Sequence, residues 1–126
     1  MKLASTIARY LLGLIFVVFS LNFWLQFMPI PMPPEGSNAA NFMGAIFMSG
    51  FLTVVKVMEL IGGLLLLSGR FVNLALAILG PVVINIALYH VVILGAGYEM
   101  AVVLSVLALL ALLGRKDFLK VLTASK

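Results

Sequence analysis

The segment FLTVVKVMELIGGLLLLSG, from Phe51 to Gly69, is apolar and long enough to cross a bilayer, yet it carries two opposite charges near its middle. Lys56 and Glu59 are three residues apart, so a helix places them on one face, about 60° apart, where they can pair. Gly62 and Gly63 continue that face and allow a neighbouring helix to approach closely. Because charges are costly in hydrocarbon, this segment predicts further helices that shield the pair from lipid.

The composition of the chain indicates an integral membrane protein. Of its 126 residues 64% are hydrophobic and 10% are charged, and the mean hydropathy is +1.27, far from the average of soluble domains. The net charge of +4 does not indicate nucleic-acid binding, since the cations flank apolar segments instead of forming a basic stripe. The absence of cysteine excludes disulfides, thiolate nucleophiles and cysteine-ligated iron–sulfur clusters, so redox chemistry would require a bound cofactor.

Four apolar segments predict an all-α, four-helix membrane bundle that forms a single domain over residues 1–126. The basic start followed by an apolar run also resembles a signal peptide, but the apolar stretch continues further and favours a retained first span. Pro81 predicts a kink in the third span, and Gly97, Ala101 and Ser105 have a spacing that favours close packing of the fourth. The predicted spans cover approximately residues 6–28, 51–69, 71–93 and 98–114.

The segment between the first two spans predicts an extended connection followed by a short helix. Residues 28–37 contain four prolines, which remove backbone donors and fix φ. Asn38 is a candidate cap for a helix over 39–48, which we expect along the membrane interface or in the mouth of the bundle. Ser49 and Gly50 predict a break, because one helix continuing to the end of the second span would be about 48 Å long.

The distribution of charge predicts the orientation. The opposite loops carry Glu35 and Glu99 and no Lys or Arg. The positive-inside rule then places both termini and the middle loop in the cytoplasm of a multi-pass protein of the plasma (bacterial inner) membrane. The cations that fall on one side of the four-span arrangement are Lys2, Arg9, Arg70, Arg115, Lys116, Lys120 and Lys126.

Further polar residues fall in the predicted outer half and suggest a pocket that opens outward above the charged pair. Asn22 and Gln26 share one helical face, as do Asn85 and Tyr89, whereas His90 lies about 140° from Asn85. These side chains either form hydrogen bonds between helices or contact a ligand. A single histidine with no strong second ligand predicts no metal site. The candidate ligand-binding or proton-relay residues are Lys56, Glu59, Asn22, Gln26, Asn85, Tyr89 and His90; no catalytic residue is assigned.

Five short patterns along the chain resemble the DoxX family of small four-helix membrane proteins. They are Phe19-Ser-Leu-Asn22 at the end of a first helix containing Gly13, Lys56-Val-Met-Glu59-Leu-Ile-Gly-Gly63, Gly69-Arg70-Phe71, Gly80-Pro-Val-Val-Ile-Asn85 and Tyr89-His90. The resemblance covers essentially the whole chain. It implies a four-helix fold and association with quinone-linked membrane oxidoreductases, and it brings no catalytic motif.

Three functions remain open from the sequence. The first is an accessory or ligand-binding subunit in quinone-linked redox chemistry, with a quinone as its possible cofactor and a redox enzyme subunit as its partner. The second is a non-catalytic scaffold in which Lys56 and Glu59 form an internal salt bridge that fixes helix orientation. The third is a small transporter or channel protomer, which would require self-association because four short helices leave little room for a water path.

Overall fold

In a computed structural model that describes residues 2–30 and 32–124, all regular secondary structure is helical, as predicted. Pro31 of the proline-rich connection and Lys126 of the basic C-terminal segment lie outside these residues. The helices are α1 (Lys2–Leu25), α2 (Asn38–Met48), α3 (Phe51–Ser68), α4 (Val72–Leu88) with a π-helical continuation (Tyr89–Leu94), α5 (Tyr98–Leu113) and α6 (Lys116–Thr123).

Three helices of the described chain are long and apolar enough to cross a membrane, so the prediction of a membrane protein holds at this level. They are Lys2–Leu25, Phe51–Ser68 and Val72–Leu94. The segment predicted as the fourth span forms α5, which is apolar but only 16 residues long. At 1.5 Å per residue α5 measures about 24 Å, less than the roughly 30 Å of the hydrocarbon core.

The first helix starts and ends earlier than the predicted range 6–28. It ends at Leu25 because Gln26 adopts a left-handed conformation, with φ of 51°, that no α-helix can continue. The amide N–H of Gln26 still donates to the carbonyl of Asn22, at 2.8 Å. The chain then leaves the helix axis three residues before the expected boundary.

The long helices pack side by side around an apolar core. Helix α1 contacts α3 and α5, and α4 contacts the same two helices. Leu12, Phe16, Leu66 and Leu79 are fully buried at the centre. This arrangement gives every long helix two neighbours and leaves one face of each uncovered.

The short helix before the second span is present, as predicted, and lies against one end of the packed helices. Its cap is Ser37, not Asn38: the Ser37 hydroxyl accepts a hydrogen bond from the Ala40 N–H at 3.1 Å. Gly50, with φ of 85°, separates α2 from α3. Helix α2 packs against α3 and the π-helical segment, and its Phe47 ring also lies 6.0 Å from that of Phe23 near the end of α1.

The opposite end is held together by polar contacts between helices. The Arg9 guanidinium donates to the carbonyl of Leu66 near the end of α3. Arg115 Nε donates to Asn73 Oδ1 at 2.8 Å, which joins the start of α6 to the start of α4. Ser5 Oγ donates to the Ala111 carbonyl at 3.2 Å. The start of α1, the turn between α3 and α4, and the end of α5 therefore meet at this end.

Helix α4 continues through Pro81, which has no N–H to donate to the Ala77 carbonyl, and a π-helical turn begins at Tyr89. The side-chain amide of Asn85 donates to the Pro81 carbonyl at 2.9 Å. That bond ties the Asn85 side chain to its own helix, one turn earlier, so this amide is used within α4.

Candidate functional site

Lys56 and Glu59 form the predicted ion pair on α3. Lys56 Nζ lies 3.4 Å from Glu59 Oε1, and the side chains are 20% and 5% exposed. Glu59 shares a buried stripe with Gly62, Gly63 and Leu66, which is the face of α3 that meets the other helices. The carboxylate is thus turned into the protein, and the ammonium group lies at the edge of the packing.

The glycines beside Glu59 permit a close helix crossing, as predicted. An ideal Cβ at Gly63 would lie 2.9 Å from the carbonyl oxygen of Gly13 on α1, and an ideal Cβ at Gly13 would lie 2.9 Å from the carbonyl oxygen of Gly63. A Cβ at Gly62 would lie 2.7 Å from Leu79 Cγ on α4. Two helices therefore close against α3 within about one turn of the carboxylate.

The crossing of α1 and α3 shows what surrounds the ion pair. The helices are antiparallel, since Arg9 contacts Leu66 while Gly13 contacts Gly63. Ser20 is seven residues beyond Gly13 and Lys56 seven before Gly63, so both lie about 10 Å from the crossing. Ser20 is fully buried, and its hydroxyl donates to the Val17 carbonyl at 3.1 Å.

Ser20 is a residue that the sequence analysis did not single out as a site candidate. Its position opposite Lys56 depends on which residues of α1 and α3 cross, and the sequence does not give that register. On the α4 side, Val82 and Val83 are buried about one turn outward from Leu79. The buried residues of α4 at the level of Glu59 are therefore apolar.

Asn22 and Gln26 organise the end of α1. Asn22 is buried, its Nδ2 donates to the Met28 carbonyl at 3.1 Å, and its Oδ1 accepts from the Met28 N–H at 2.7 Å. Both polar ends of the amide are therefore engaged by the connection to α2. Gln26 is exposed at the residue where α1 ends. Neither side chain has a described hydrogen bond to the ion pair.

Asn85, Tyr89 and His90 form a separate group on the outer part of α4. Asn85 is exposed, and the Tyr89 ring packs on Phe42 of α2 with centroids 5.6 Å apart. His90 Nδ1 lies 2.9 Å from the Ala96 carbonyl oxygen, which only accepts, so Nδ1 carries the hydrogen. The structure brings Tyr89 and His90 together, with centroids 5.2 Å apart, but shows no described contact of either with Lys56 or Glu59.

A cleft of about 500 Å³ lies between α4 and α5. Leu79, Val83 and Ala87 line its α4 wall, while Ser105 and Leu109 line its α5 wall. A narrower extension of about 280 Å³ continues past Ser105 to Tyr98. Ser105 and Leu109 are exposed, so the cleft opens sideways, between the helices.

The cleft and the ion pair lie on different sides of α4. Leu79 packs against Gly62 of α3 and also lines the cleft, so the wall of α4 separates the two. The sequence predicts a pocket directly above Lys56 and Glu59. In the described structure those residues do not line the cleft, and the residues with hydroxyl groups that line it are Ser105 and, in its extension, Tyr98.

These features define an all-helical membrane protein that combines a buried ion pair with an apolar cleft open to the side. Comparison of the chain with protein-family models, with curated proteins and with solved structures finds no match. Among the described residues no three His, Cys, Asp or Glu side chains gather in a group suited to a metal ion. The function must therefore be argued from the site itself.

Proposed function

We propose that this chain is a DoxX-like, four-span inner-membrane protein that binds a quinone-like ligand as an accessory subunit of a membrane redox enzyme. The observation that carries this proposal is the apolar cleft between α4 and α5. Its volume of about 500 Å³ falls within the range of about 300–1,000 Å³ that small-molecule sites occupy. The resemblance to DoxX proteins supports the redox association.

The charges at the two ends of the helices support a four-span arrangement with cytoplasmic termini. Glu35 lies in the connection between α1 and α2 and Glu99 in the first turn of α5, both at the end opposite to the described Lys and Arg residues outside α3. Under the positive-inside rule the cationic end faces the cytoplasm. In this arrangement α5 is the fourth span, and the bilayer thins or the helix ends snorkel to match its short length.

The lining of the cleft suits an isoprenoid quinone. Leu and Val side chains offer an apolar wall for the tail, while the ring carbonyls need hydrogen-bond donors. Ser105 lines the cleft and Tyr98 lines its extension, and both side chains carry a hydroxyl group that can donate to a ring carbonyl. We therefore assign ligand contact to Ser105 and Tyr98. Lys56 and Glu59 form a separate pair on the side of α4 that faces away from the cleft.

Photolabelling with an azido-quinone tests the proposal on the protein purified in lipid nanodiscs. Ala87→Phe places a ring in the cleft, and we expect labelling to fall by about tenfold, equivalent to about 1.4 kcal/mol of binding free energy. Ala77→Phe is the matched control, because Ala77 is exposed on the same helix and does not line the cleft. Equal labelling of both variants and the unmodified protein would contradict the proposal.

A second candidate function, a non-catalytic scaffold, is favoured by the enclosed Lys56–Glu59 pair. Lys56→Met leaves the Glu59 carboxylate, 5% exposed, without its partner, and we expect a loss of about 3–5 kcal/mol of stability. Glu59→Leu should be milder because Lys56 keeps 20% exposure. The double variant should return close to the stability of the unmodified protein.

Unfolding in mixed detergent measures these stabilities, and azido-quinone labelling of the same variants tests whether the pair takes part in ligand binding. A scaffold role predicts that the double variant of Lys56 and Glu59 folds and assembles normally. If that variant is stable but no longer labels with quinone or supports its redox partner, the pair has a functional role and the scaffold reading is excluded.

A further inference from the structure

Helix α6 has two chemically different faces. On a helical projection Phe118, Leu119, Val121 and Leu122 occupy one side, while Lys116, Lys120 and Thr123 occupy the other. Asp117 lies at the boundary between the two faces. A helix with this pattern requires apolar surroundings along one side and water or charged groups along the other.

The protein covers only half of this apolar face. Phe118 and Leu119 are half-buried, and Phe118 packs against the core near the end of α5. Val121 and Leu122, one turn further along, are 71% and 57% exposed. The uncovered half is thus a small apolar surface next to a pair of lysines on the same short helix.

The position of α6 determines what can cover that surface. The hydrogen bond from Arg115 to Asn73 holds the start of α6 beside the start of α4, where the spanning segment Val72–Leu94 begins. The helix therefore lies where the chain leaves the membrane. Hydrocarbon and lipid head groups are the surroundings immediately available to Val121, Leu122, Lys116 and Lys120 at that depth.

Charge complementarity identifies the kind of lipid. The described residues at this end include six cations, Lys2, Arg9, Arg70, Arg115, Lys116 and Lys120, and the single acid Asp117. Anionic lipid head groups attract Lys and Arg side chains that lie close to the membrane surface, so this end of the protein favours anionic lipid.

We propose that α6 is an interfacial helix that binds the anionic lipid leaflet on the cationic side of the protein. Val121 and Leu122 enter the boundary between head groups and acyl chains, and Lys116 and Lys120 contact lipid phosphates. This surface is independent of the ligand cleft, because none of its residues lines that cleft.

Spin labels on the complete protein in vesicles test the proposal, and the absence of native cysteine allows labelling at single introduced cysteines. Leu122→Cys reports the apolar face, and Thr123→Cys is the matched control on the polar face. In vesicles containing phosphatidylglycerol we expect oxygen to reach the label at position 122 better than a water-soluble nickel complex does. The order should be reversed at position 123.

The charge dependence provides the second readout. Replacing phosphatidylglycerol by phosphatidylcholine, or combining Lys116→Gln with Lys120→Gln, should lower the ratio of oxygen to nickel access at position 122 by about twofold or more. An unchanged ratio overturns the assignment to anionic lipid. Free nickel access at position 122 shows that the face is not inserted, and protection from both reagents shows that protein covers it; either result overturns the proposal.

Discussion

Gly13 and Gly63 show how single residues set the distance between α1 and α3. Each glycine faces the carbonyl oxygen of the other, and an ideal Cβ on either would approach that oxygen to 2.9 Å. Real Cβ atoms do not approach so closely, so a side chain on either residue must push the backbones apart. Gly62 differs, because its Cβ would meet the end of the flexible Leu79 side chain.

We expect Gly63→Ala to destabilise the protein by about 1–3 kcal/mol, the usual range for overpacking. Gly62→Ala should be milder because Leu79 can change rotamer. Gly44→Ala is the control, since a Cβ there has nothing within 4 Å, and it should be neutral or slightly stabilising because alanine favours helix. Unfolding in mixed detergent gives the three values, and equal losses at Gly63 and Gly44 would show that the crossing is not tightly packed.

The sequence predicts part of this residue-scale detail. The spacing of Lys56 and Glu59 correctly predicts their pairing, and the adjacent glycines predict the close approach of another helix. The partners of Asn22 could not be predicted in the same way. Its amide binds the backbone of Met28, and that contact depends on the turn at Gln26. Left-handed turns of this kind usually contain glycine, so a glutamine at this position does not predict one.

The turn between α4 and α5 requires two residues in the left-handed conformation. The π-helical segment ends at Leu94, and Gly95 and Gly97 then take φ values of 72° and 74°. Only Gly97 is also crowded, since a Cβ there would lie 2.7 Å from His90 Nδ1, whereas one at Gly95 has nothing within 4 Å. A substitution at Gly95 would therefore introduce backbone strain alone, and one at Gly97 would introduce both backbone strain and side-chain crowding.

We expect Gly95→Ala to cost about 1–2 kcal/mol, the penalty for a left-handed residue with a side chain. Gly97→Ala should cost about 1 kcal/mol more, because the His90 ring must move and lose its hydrogen bond to Ala96. In a His90→Ala background the difference between the two variants should disappear. Unfolding measurements on the four proteins test this, and a difference that persists without the imidazole would exclude His90 as its cause.

Helix existence and type are readable from the apolar pattern, but the spacing between helices is not. The small residues of α5 predict close packing, and Ala101 is indeed buried. Ser105, one turn later, instead lines the cleft opposite Ala87. Small side chains allow close packing only where the backbones converge, and at the level of Ser105 a cleft lies between α4 and α5.

At the scale of the whole molecule the arrangement of charges defines two different ends. One end carries the cations of α1, α6 and the turn between α3 and α4, and the other carries Glu35 and Glu99. The all-helical fold and three of the helices long enough to span follow from the sequence. The fourth crossing and the direction of insertion remain predictions, since α5 is short for a span.

Labelling of single cysteines with an impermeant maleimide in intact cells tests the topology. We expect Glu35→Cys and Ala96→Cys to react, and Ser68→Cys and Thr123→Cys to react only after the membrane is made permeable, because cationic segments remain inside. All four residues are exposed. Reaction of Thr123→Cys in intact cells, with Ser68→Cys still protected, would show that α5 does not cross.

The sideways opening of the cleft between α4 and α5 determines how any occupant arrives. In the proposed four-span arrangement the cleft opens into the acyl chains, so a molecule dissolved there reaches Leu109 and Ser105 by lateral diffusion, without returning to water. Occupancy then depends on the mole fraction of the molecule in the leaflet, not on its concentration in water. Ligand titrations at different ratios of lipid to protein should therefore coincide only when occupancy is plotted against the mole fraction of ligand in the lipid.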